Sequence, residues 1–261
     1  MRLDKYLADM GVGTRSQVKE KIRKGLVQVN GQVIRGADQK VDSEMDTVSV
    51  EGRIVGYVAL EYYMLNKPQG VVSAVHDRQD RTVVDLIETK NRKDLYPVGR
   101  LDKDTEGLLL ITNDGDLTHR LLSPKKHVDK TYYALVSGRV TEEDIRAFED
   151  GIEVDGEFTA MPALLSTDLD EEAFAGLFPS NIREILPLEV TEYSQTLVTI
   201  REGKYHQIKR MFASRGKEVL YLKRLSMGTL LLDPSLAPGQ YRPLTQKEMD
   251  LLSGDNRPEG R

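Results

Sequence analysis

The sequence predicts an α+β protein in which a small N-terminal unit of helices and a hairpin precedes a larger part built on a mixed, mostly antiparallel β-sheet with flanking helices. Residues 1–51 contain two short helical patterns followed by alternating apolar and polar residues. From residue 57, strand-like runs separated by glycine and proline prevail, and helical patterns are few. These two observations together predict the fold class.

Length and composition indicate a soluble globular protein. Of the 261 residues, 39% are hydrophobic and 30% are charged, and no stretch approaches the roughly 18 apolar residues of a transmembrane helix. The first residues are charged where a signal peptide is apolar, so we expect a cytoplasmic location. The absence of cysteine excludes disulfides and thiol nucleophiles, and the four histidines lack metal-ligand spacing. We therefore expect no metal.

The N-terminal unit is predicted to open with two short helices. Leu3 and Leu7 lie one helical turn apart in the first, and Val18 and Ile22 repeat that spacing in the second. Thr14 stands where an N-cap is needed at the start of the second helix.

A hairpin is predicted to follow, because Asn30-Gly31 separates two alternating runs and both central positions of such a turn require positive φ. A further strand at 47–52 completes the unit. We predict a first domain at 1–56.

The second domain is predicted to span 57–252. A helix is expected at 141–151, where Thr141 is the N-cap, Asp144 stands three positions later and a glycine ends the helix. Another helix is expected at 206–216.

Strands of this domain are predicted at 185–201 and 217–233, where apolar residues alternate with polar ones. The polar, glycine- and proline-containing residues 253–261 are predicted to form a flexible tail.

Charge is unevenly distributed along the chain, although the formal net charge is only -5. Residues 1–35 contain eight basic and three acidic residues, and residues 201–224 contain eight basic and two acidic residues. Residues 141–192 contain fifteen acidic and two basic residues. Because a partner responds to local potential, the two basic segments favour a nucleic-acid partner.

A carboxylate-rich loop, GRLDKDTEG at 99–107, precedes an apolar strand. Arg100 and Lys103 flank Asp102, which favours an ionised and nucleophilic carboxylate, and the glycines allow close approach to a substrate. A carboxylate beside a sugar carbon is typical of retaining glycosidases, which also need a second carboxylic acid. Asp104 or Glu106 fits that second role.

The N-terminal unit resembles the S4 domain, an RNA-binding module with an αL-type fold, in RLDKYL, TRSQVKEKIRKG and VNGQVI. The resemblance covers about 50 residues. It implies binding of structured RNA through phosphates, with strong salt dependence. The expected RNA-binding side chains are Arg2, Lys5, Arg15, Lys19, Arg23 and Lys24.

The larger part resembles the pseudouridine synthases of the RsuA family, bacterial enzymes that isomerise uridine in ribosomal RNA. The segment GRLDKDTEGLLLITNDG is similar to their catalytic signature, and MLNKPQGVVS, KTYYALV and EGKYHQIKRMF agree in order. The resemblance implies a pseudouridine synthase fold and an isomerisation in which no atom is gained or lost. It therefore implies that no cofactor is needed.

The resemblance assigns the essential carboxylate to Asp102. This group either attacks C1′ covalently or removes the C2′ proton to give a glycal, and the sequence leaves both routes open. Tyr132 is expected to stack on a flipped uracil and to help remove the C5 proton. The turn at 67–70 is expected to be structural.

Further roles follow from the same resemblance. Lys209 is expected to pair with the catalytic aspartate, although other basic residues at 204–215 compete for that assignment. Arg100 is expected to fill the gap left by the extruded base, with Leu101 and Arg210 also contacting substrate. Leu225 is expected either in the apolar wall of the site or, more simply, in the packed core.

Tyr205-His206 and the segment LAPGQYRPLT resemble the small-subunit branch of the family, so the predicted partner is 16S ribosomal RNA or a small-subunit assembly intermediate. The protein is expected to be a monomer. Two alternatives remain: a synthase acting on 23S ribosomal RNA, and a non-catalytic S4-type assembly factor.

Overall fold

A computed structural model describes residues 1–88 and 91–253. The chain forms two compact units, an N-terminal unit of Met1–Glu61 and Ile87–Tyr96, and a sheet unit formed by the rest. The first unit thus extends beyond residue 56 and takes in a segment from later in the chain. The predicted tail, 253–261, lies outside the described residues except for Ser253, which ends the last helix.

The N-terminal unit has the predicted order of two helices followed by a hairpin. Thr14 and Gln17 form a reciprocal capping box at the second helix. Asn30 and Gly31 both have positive φ, 51° and 79°, as the predicted turn requires. Its elements are α1 (Leu3–Asp9), α2 (Arg15–Arg23), β1 (Val27–Val29), β2 (Gln32–Val33), β3 (Val48–Val50) and β4 (Arg53–Ile54).

The segment Ile87–Tyr96 is held in this unit by a buried arginine. The Arg92 side chain is only 4% exposed and pairs with Asp94 and, at 3.6 Å, with Asp9. It also donates a hydrogen bond of 3.1 Å to the Tyr57 hydroxyl. Arg92 therefore depends on partners that precede it by more than 30 residues.

The sheet unit contains the remaining elements. Its strands are β5 (Tyr62–Lys67), β6 (Tyr96–Pro97, where the chain enters the unit), β7 (Glu106–Thr112), β8 (Lys130–Ser137), β9 (Glu153–Val154), β10 (Phe158–Thr159), β11 (Leu164–Ser166), β12 (Tyr193–Ile200), β13 (Val219–Met227), β14 (Leu230–Leu231) and β15 (Tyr241–Pro243). Its helices are α3 (Gly115–Leu122), α4 (Glu142–Asp150), α5 (Ile182–Ile185), α6 (Gln207–Ala213) and α7 (Gln246–Ser253), with a 3-10 turn at Pro124–Lys126. Within the described ranges, none of the helices combines the length and apolarity needed to cross a membrane.

The main sheet has the strand order β11-β12-β8-β13-β7-β5-β15. Neighbouring strands in this order are antiparallel except β13 and β7, which are parallel. The predicted mixed, mostly antiparallel sheet is therefore confirmed. Its core includes Met64, Leu108, Leu110, Tyr133 and Leu135, all at most 1% exposed.

Two strand predictions differ from the structure. Strand β12 begins at Tyr193 rather than at residue 185, because helix α5 and a turn around Pro187, which has no N–H to donate, precede it. The predicted strand 217–233 is a hairpin of β13 and β14, because the chain turns at Gly228, which has a φ of 59°. The helix predicted at 141–151 is present with its Thr141–Asp144 capping box.

The parallel contact between β7 and β13 requires glycine at position 107. Gly107 has a φ of 100°, and an added Cβ would lie 2.2 Å from the Arg224 carbonyl oxygen. Both the backbone conformation and the available space therefore exclude a side chain.

We predict that Gly107→Ala lowers the free energy of unfolding by about 3 kcal/mol or more, because it adds a backbone clash to an unfavourable φ. Gly138→Ala is the matched control: Gly138 also has a positive φ, 72°, but open space around it. The control should lose only about 1–2 kcal/mol. Urea unfolding of both variants measures the difference, and equal losses would contradict the steric argument.

Candidate active site

The loop that carries Asp102 is held by hydrogen bonds from the Ser73 hydroxyl and the Gly70 backbone. The Ser73 hydroxyl donates a hydrogen bond of 2.8 Å to the Leu101 carbonyl and accepts one of 3.0 Å from the Leu101 N–H. The Gly70 N–H donates to the Lys103 carbonyl at 2.8 Å. Because these contacts involve the backbone on both sides of Asp102, they determine where its carboxylate points.

The fully buried side chain of Lys67 supports the same loop. The Lys67 ammonium donates hydrogen bonds to the carbonyls of Pro68, Lys103 and Thr105, at 3.0, 3.3 and 2.9 Å. Burial lowers the pKa of Lys67 to about 8. The turn at 67–70 therefore supports the Asp102 loop through backbone carbonyls.

Asp102 lies against the start of helix α6. Lys209 Nζ is 3.3 Å from Asp102 Oδ2, and His206 Nε2 is 3.5 Å from Asp102 Oδ1. The Asp102 side chain remains 28% exposed, so a substrate can reach it. His206 takes a left-handed conformation, φ 50°, directly before α6.

Lys209 also pairs with a second carboxylate of the loop, because its Nζ lies 2.6 Å from Asp104 Oδ1. Burial opposes ionisation of Asp104, but the hydrogen bond and charge of Lys209 outweigh it and hold the pKa of Asp104 below its usual range. One lysine thus links both aspartates of the loop to α6.

Tyr132, on β8, lies among basic side chains. It is 6% exposed and pairs in register with Arg224 of β13. Arg224 Nη1 lies 3.5 Å from the Tyr132 hydroxyl, and its Nε donates a hydrogen bond of 2.7 Å to the Leu108 carbonyl. Lys130 precedes Tyr132 by two positions, which places both side chains on one face of β8.

Asp102 and Tyr132 line the same cavity, which has a volume of about 660 Å³. Arg100, Leu101 and His206 also contribute to its wall. A smaller cavity of about 70 Å³ shares these five residues and is also lined by Lys209 and the apolar side chains of Ile200, Ile208 and Leu222. The structure therefore brings together five of the predicted site residues: Arg100, Leu101, Asp102, Tyr132 and Lys209.

Two of the site residues predicted in the sheet unit, Arg210 and Leu225, do not line either cavity. Arg210 pairs with Asp155 at 2.9 Å and with Glu157 at 2.6 Å, because consecutive residues of α6 point in different directions. Leu225 is fully buried in the core, since its neighbour Arg224 occupies the cavity side of β13. Leu222 takes the apolar position instead.

The predicted RNA-binding side chains of the N-terminal unit border two surface depressions. Arg2, Lys5, Arg15 and Lys19 line one, and Arg23 and Lys24 line the other.

Nearby acids neutralise part of this charge. Arg2 pairs with Asp4 at 2.9 Å, and Lys24 pairs with Glu20 at 2.7 Å. Arg15 forms no ion pair within the part of the chain that the structure describes.

Several cavity residues were not predicted: Ser73, Lys130, Lys204, His206 and Arg224. Lys130 could have been predicted from the sequence, because it lies two positions before Tyr132 on a strand and therefore on the same face. Arg224 offered no comparable signal, since its position follows from the pairing of β13 with β7 and β8.

Comparison with known proteins agrees with this geometry. A family model described as RNA pseudouridylate synthase matches residues 61–214, and an S4 domain model matches residues 1–48. A solved structure titled as a pseudouridylate synthase is 35% identical, covers 97% of this chain and 99% of its own, and superposes with a TM-score of 0.61.

Curated relatives match over nearly their whole length. An uncharacterized RNA pseudouridine synthase of Bacillus subtilis, YtzG, is 44% identical and the match covers 97% of this chain and 98% of that protein. The ribosomal small subunit pseudouridine synthase A of Escherichia coli is 36% identical over 95% and 98% of the two chains. That of Haemophilus influenzae is 36% identical over 97% and 99%.

We predict that Lys67 makes stability depend on alkaline pH. Between pH 8 and 10.5 the unfolded chain binds a proton at this lysine that the folded protein does not, so its contribution to the free energy of unfolding rises with pH. The free energy of unfolding of the wild type, minus that of Lys67→Met, should therefore increase with pH across this interval by up to about 3 kcal/mol. Urea unfolding at several pH values measures it. The exposed Lys24→Met serves as control, and a pH-independent difference for Lys67→Met would contradict the prediction.

Proposed function

The chain belongs to the RNA pseudouridylate synthase family, and on that premise we propose that it converts a specific uridine of 16S ribosomal RNA to pseudouridine, with Asp102 as the essential carboxylate. The observation that carries the proposal is the shared cavity of Asp102 and Tyr132. Its volume of about 660 Å³ is in the range of small-ligand sites and suits a single nucleotide.

The cavity implies that the target uridine leaves its stack. A base inside a helix cannot present its ribose to a recessed carboxylate, so the nucleotide has to be extruded. The uracil then stacks on Tyr132, and the exposed Arg100 at the cavity wall fills the space that the base vacates.

The proposed chemistry begins at Asp102. The carboxylate either bonds to C1′ or removes the C2′ proton, and the C1′–N1 bond breaks in both routes. The uracil turns and rejoins the ribose through C5, and Tyr132 assists loss of the C5 proton. The lysine on Oδ2 and the histidine near Oδ1 keep the carboxylate oriented throughout.

The choice of RNA is supported by the relatives that are named ribosomal small subunit pseudouridine synthase A. The S4 domain suits a structured RNA, and its exposed basic side chains favour contacts with phosphates. We propose that a monomer acts in the cytoplasm on 16S RNA or on a small-subunit assembly intermediate, without a cofactor.

We predict that Asp102→Asn abolishes pseudouridine formation and leaves RNA affinity unchanged, because the amide can neither attack C1′ nor accept the C2′ proton. Single-turnover assays on unmodified 16S RNA, with nitrocellulose-filter binding, measure both properties. Asp80→Asn is the matched control: Asp80 is also half-exposed and lysine-paired, at 2.7 Å from Lys103, but lies outside both cavities. Activity of Asp102→Asn above the uncatalysed background would contradict the catalytic role.

We also predict that deletion of the gene removes one pseudouridine from 16S RNA and none from 23S RNA. Pseudouridine mapping of both RNAs, before and after complementation with wild type and Asp102→Asn, measures this. Loss from 23S RNA would identify the large subunit as the target, and unchanged maps in both RNAs would favour a non-catalytic assembly factor.

A further inference from the structure

Two buried cations lie beside Tyr132, and neither forms an ion pair with a carboxylate among residues 1–88 and 91–253. Lys130 is 8% exposed and Arg224 is 2% exposed, and both line the cavity that contains Asp102. Burial lowers the pKa of Lys130, the charge of Arg224 lowers it further, and the nearby Asp129 carboxylate, which is paired with Arg201, offsets only part of the shift. The two charges are therefore close enough to repel each other.

The hydrogen bonds of these two side chains go to neutral acceptors. Lys130 Nζ donates to the Val128 carbonyl at 2.9 Å. Arg224 donates to the Leu108 carbonyl and to the Tyr132 hydroxyl, and its buried Nη2 has no hydrogen-bond partner in the part of the chain described. Burying a charge that no ion pair offsets is unfavourable. An anion in the cavity would reduce that cost.

The proposed reaction produces such an anion. In the covalent route, an Asp102 oxygen bonds to C1′ as the C1′–N1 bond breaks; in the glycal route, Asp102 takes the C2′ proton and the C2′–H electron pair forms the C1′–C2′ double bond. The C1′–N1 electron pair leaves with the uracil in both routes, so the detached ring is an anion with charge on N1, O2 and O4.

The later steps restore neutrality. C5 bonds to C1′ as the carboxylate leaves, or as Asp102 returns the proton to C2′. The C5 proton is then lost and N1 takes up one proton, so the composition is unchanged. The negative charge on the ring therefore exists only between cleavage and reattachment.

We propose that Lys130 and Arg224 stabilise the detached uracil anion while it turns beside Tyr132, an inference that rests on the proposed function. The position fits, because the ring stacks at Tyr132 whereas the ribose lies at Asp102. Lys209 and His206 are engaged by Asp102 and leave the base side to these two cations. Groups aimed at charge that develops during reaction raise the rate without tightening substrate binding.

Lys130→Met tests the proposal, with Lys223→Met as the matched control. Lys223 lies on β13 beside Arg224, and its desolvated ammonium also donates to one backbone carbonyl, that of Leu177 at 2.8 Å, but it lines neither cavity. Lys130→Met and Arg224→Gln should each lower the single-turnover rate at saturating 16S RNA by about 100-fold, with unchanged RNA affinity. Lys223→Met should keep the wild-type rate, and Lys130→Arg should restore most of it.

A change of leaving group separates charge stabilisation from a structural effect. RNA ligated with 5-fluorouridine at the mapped site releases a ring that carries negative charge more easily, so the deficit of Lys130→Met in consuming the target nucleoside should shrink severalfold. Equal deficits with both rings would overturn the proposal. So would weaker RNA binding at an unchanged saturated rate, which would identify a phosphate as the anion. Either result leaves the Asp102→Asn outcome intact, whereas an active Asp102→Asn would refute the proposed function itself.

Discussion

The parallel contact between β7 and β13 at Gly107 is the constraint on which the site depends. On one side of this contact, the chain enters β7 directly from the loop that carries Asp102. On the other side, β13 carries Arg224 and pairs with β8, which carries Tyr132. The carboxylate therefore comes from the β7 side of this contact and the aromatic ring from the β13–β8 side. They share a cavity because the two strands lie so close together that only glycine fits at position 107.

The charged side chains of the site form two groups, one around Asp102 and one around Tyr132. Around Asp102, Lys209 and His206 contact the carboxylate, and Lys67 holds the backbone beneath it. Around Tyr132, the buried Lys130 and Arg224 form no ion pair within the described residues, although Asp129 lies close enough to Lys130 to raise its pKa. In the proposed mechanism the ribose would meet the anionic Asp102 and the uracil would meet the cations. This arrangement suits cleavage of a bond whose electron pair leaves with the uracil.

Local features of the fold were predictable from sequence because each depends on a few adjacent residues. The Thr141–Asp144 capping box and the Asn30-Gly31 turn are examples, and both appear in the structure. The start of β12 was not predictable from alternation alone, because the pattern around Pro187 resembles a strand although the residue cannot donate to one.

In the site, Asp102, Tyr132 and Lys209, which motif resemblance singled out, line one cavity. Arg210 and Leu225 lie away from the cavity, because their directions depend on helical phase and on strand pairing, and Leu225 takes the core position that was its alternative assignment. Arg224 was missed for the same reason, since its place at the cavity follows from contacts between strands that are distant in sequence. Sequence reasoning thus predicted the carboxylate and the tyrosine of the cavity more readily than the basic groups that surround them.

The return of Ile87–Tyr96 to the N-terminal unit means that the RNA-binding module cannot be removed by a single cut. A fragment that begins at residue 57 would keep Arg92 but lose Asp9, so the Arg92 guanidinium would lose one of its two carboxylate partners. A catalytic fragment of this protein would therefore need a short polar loop in place of residues 87–96. If a simple truncation failed to fold, that result would not show whether catalysis requires the RNA-binding module.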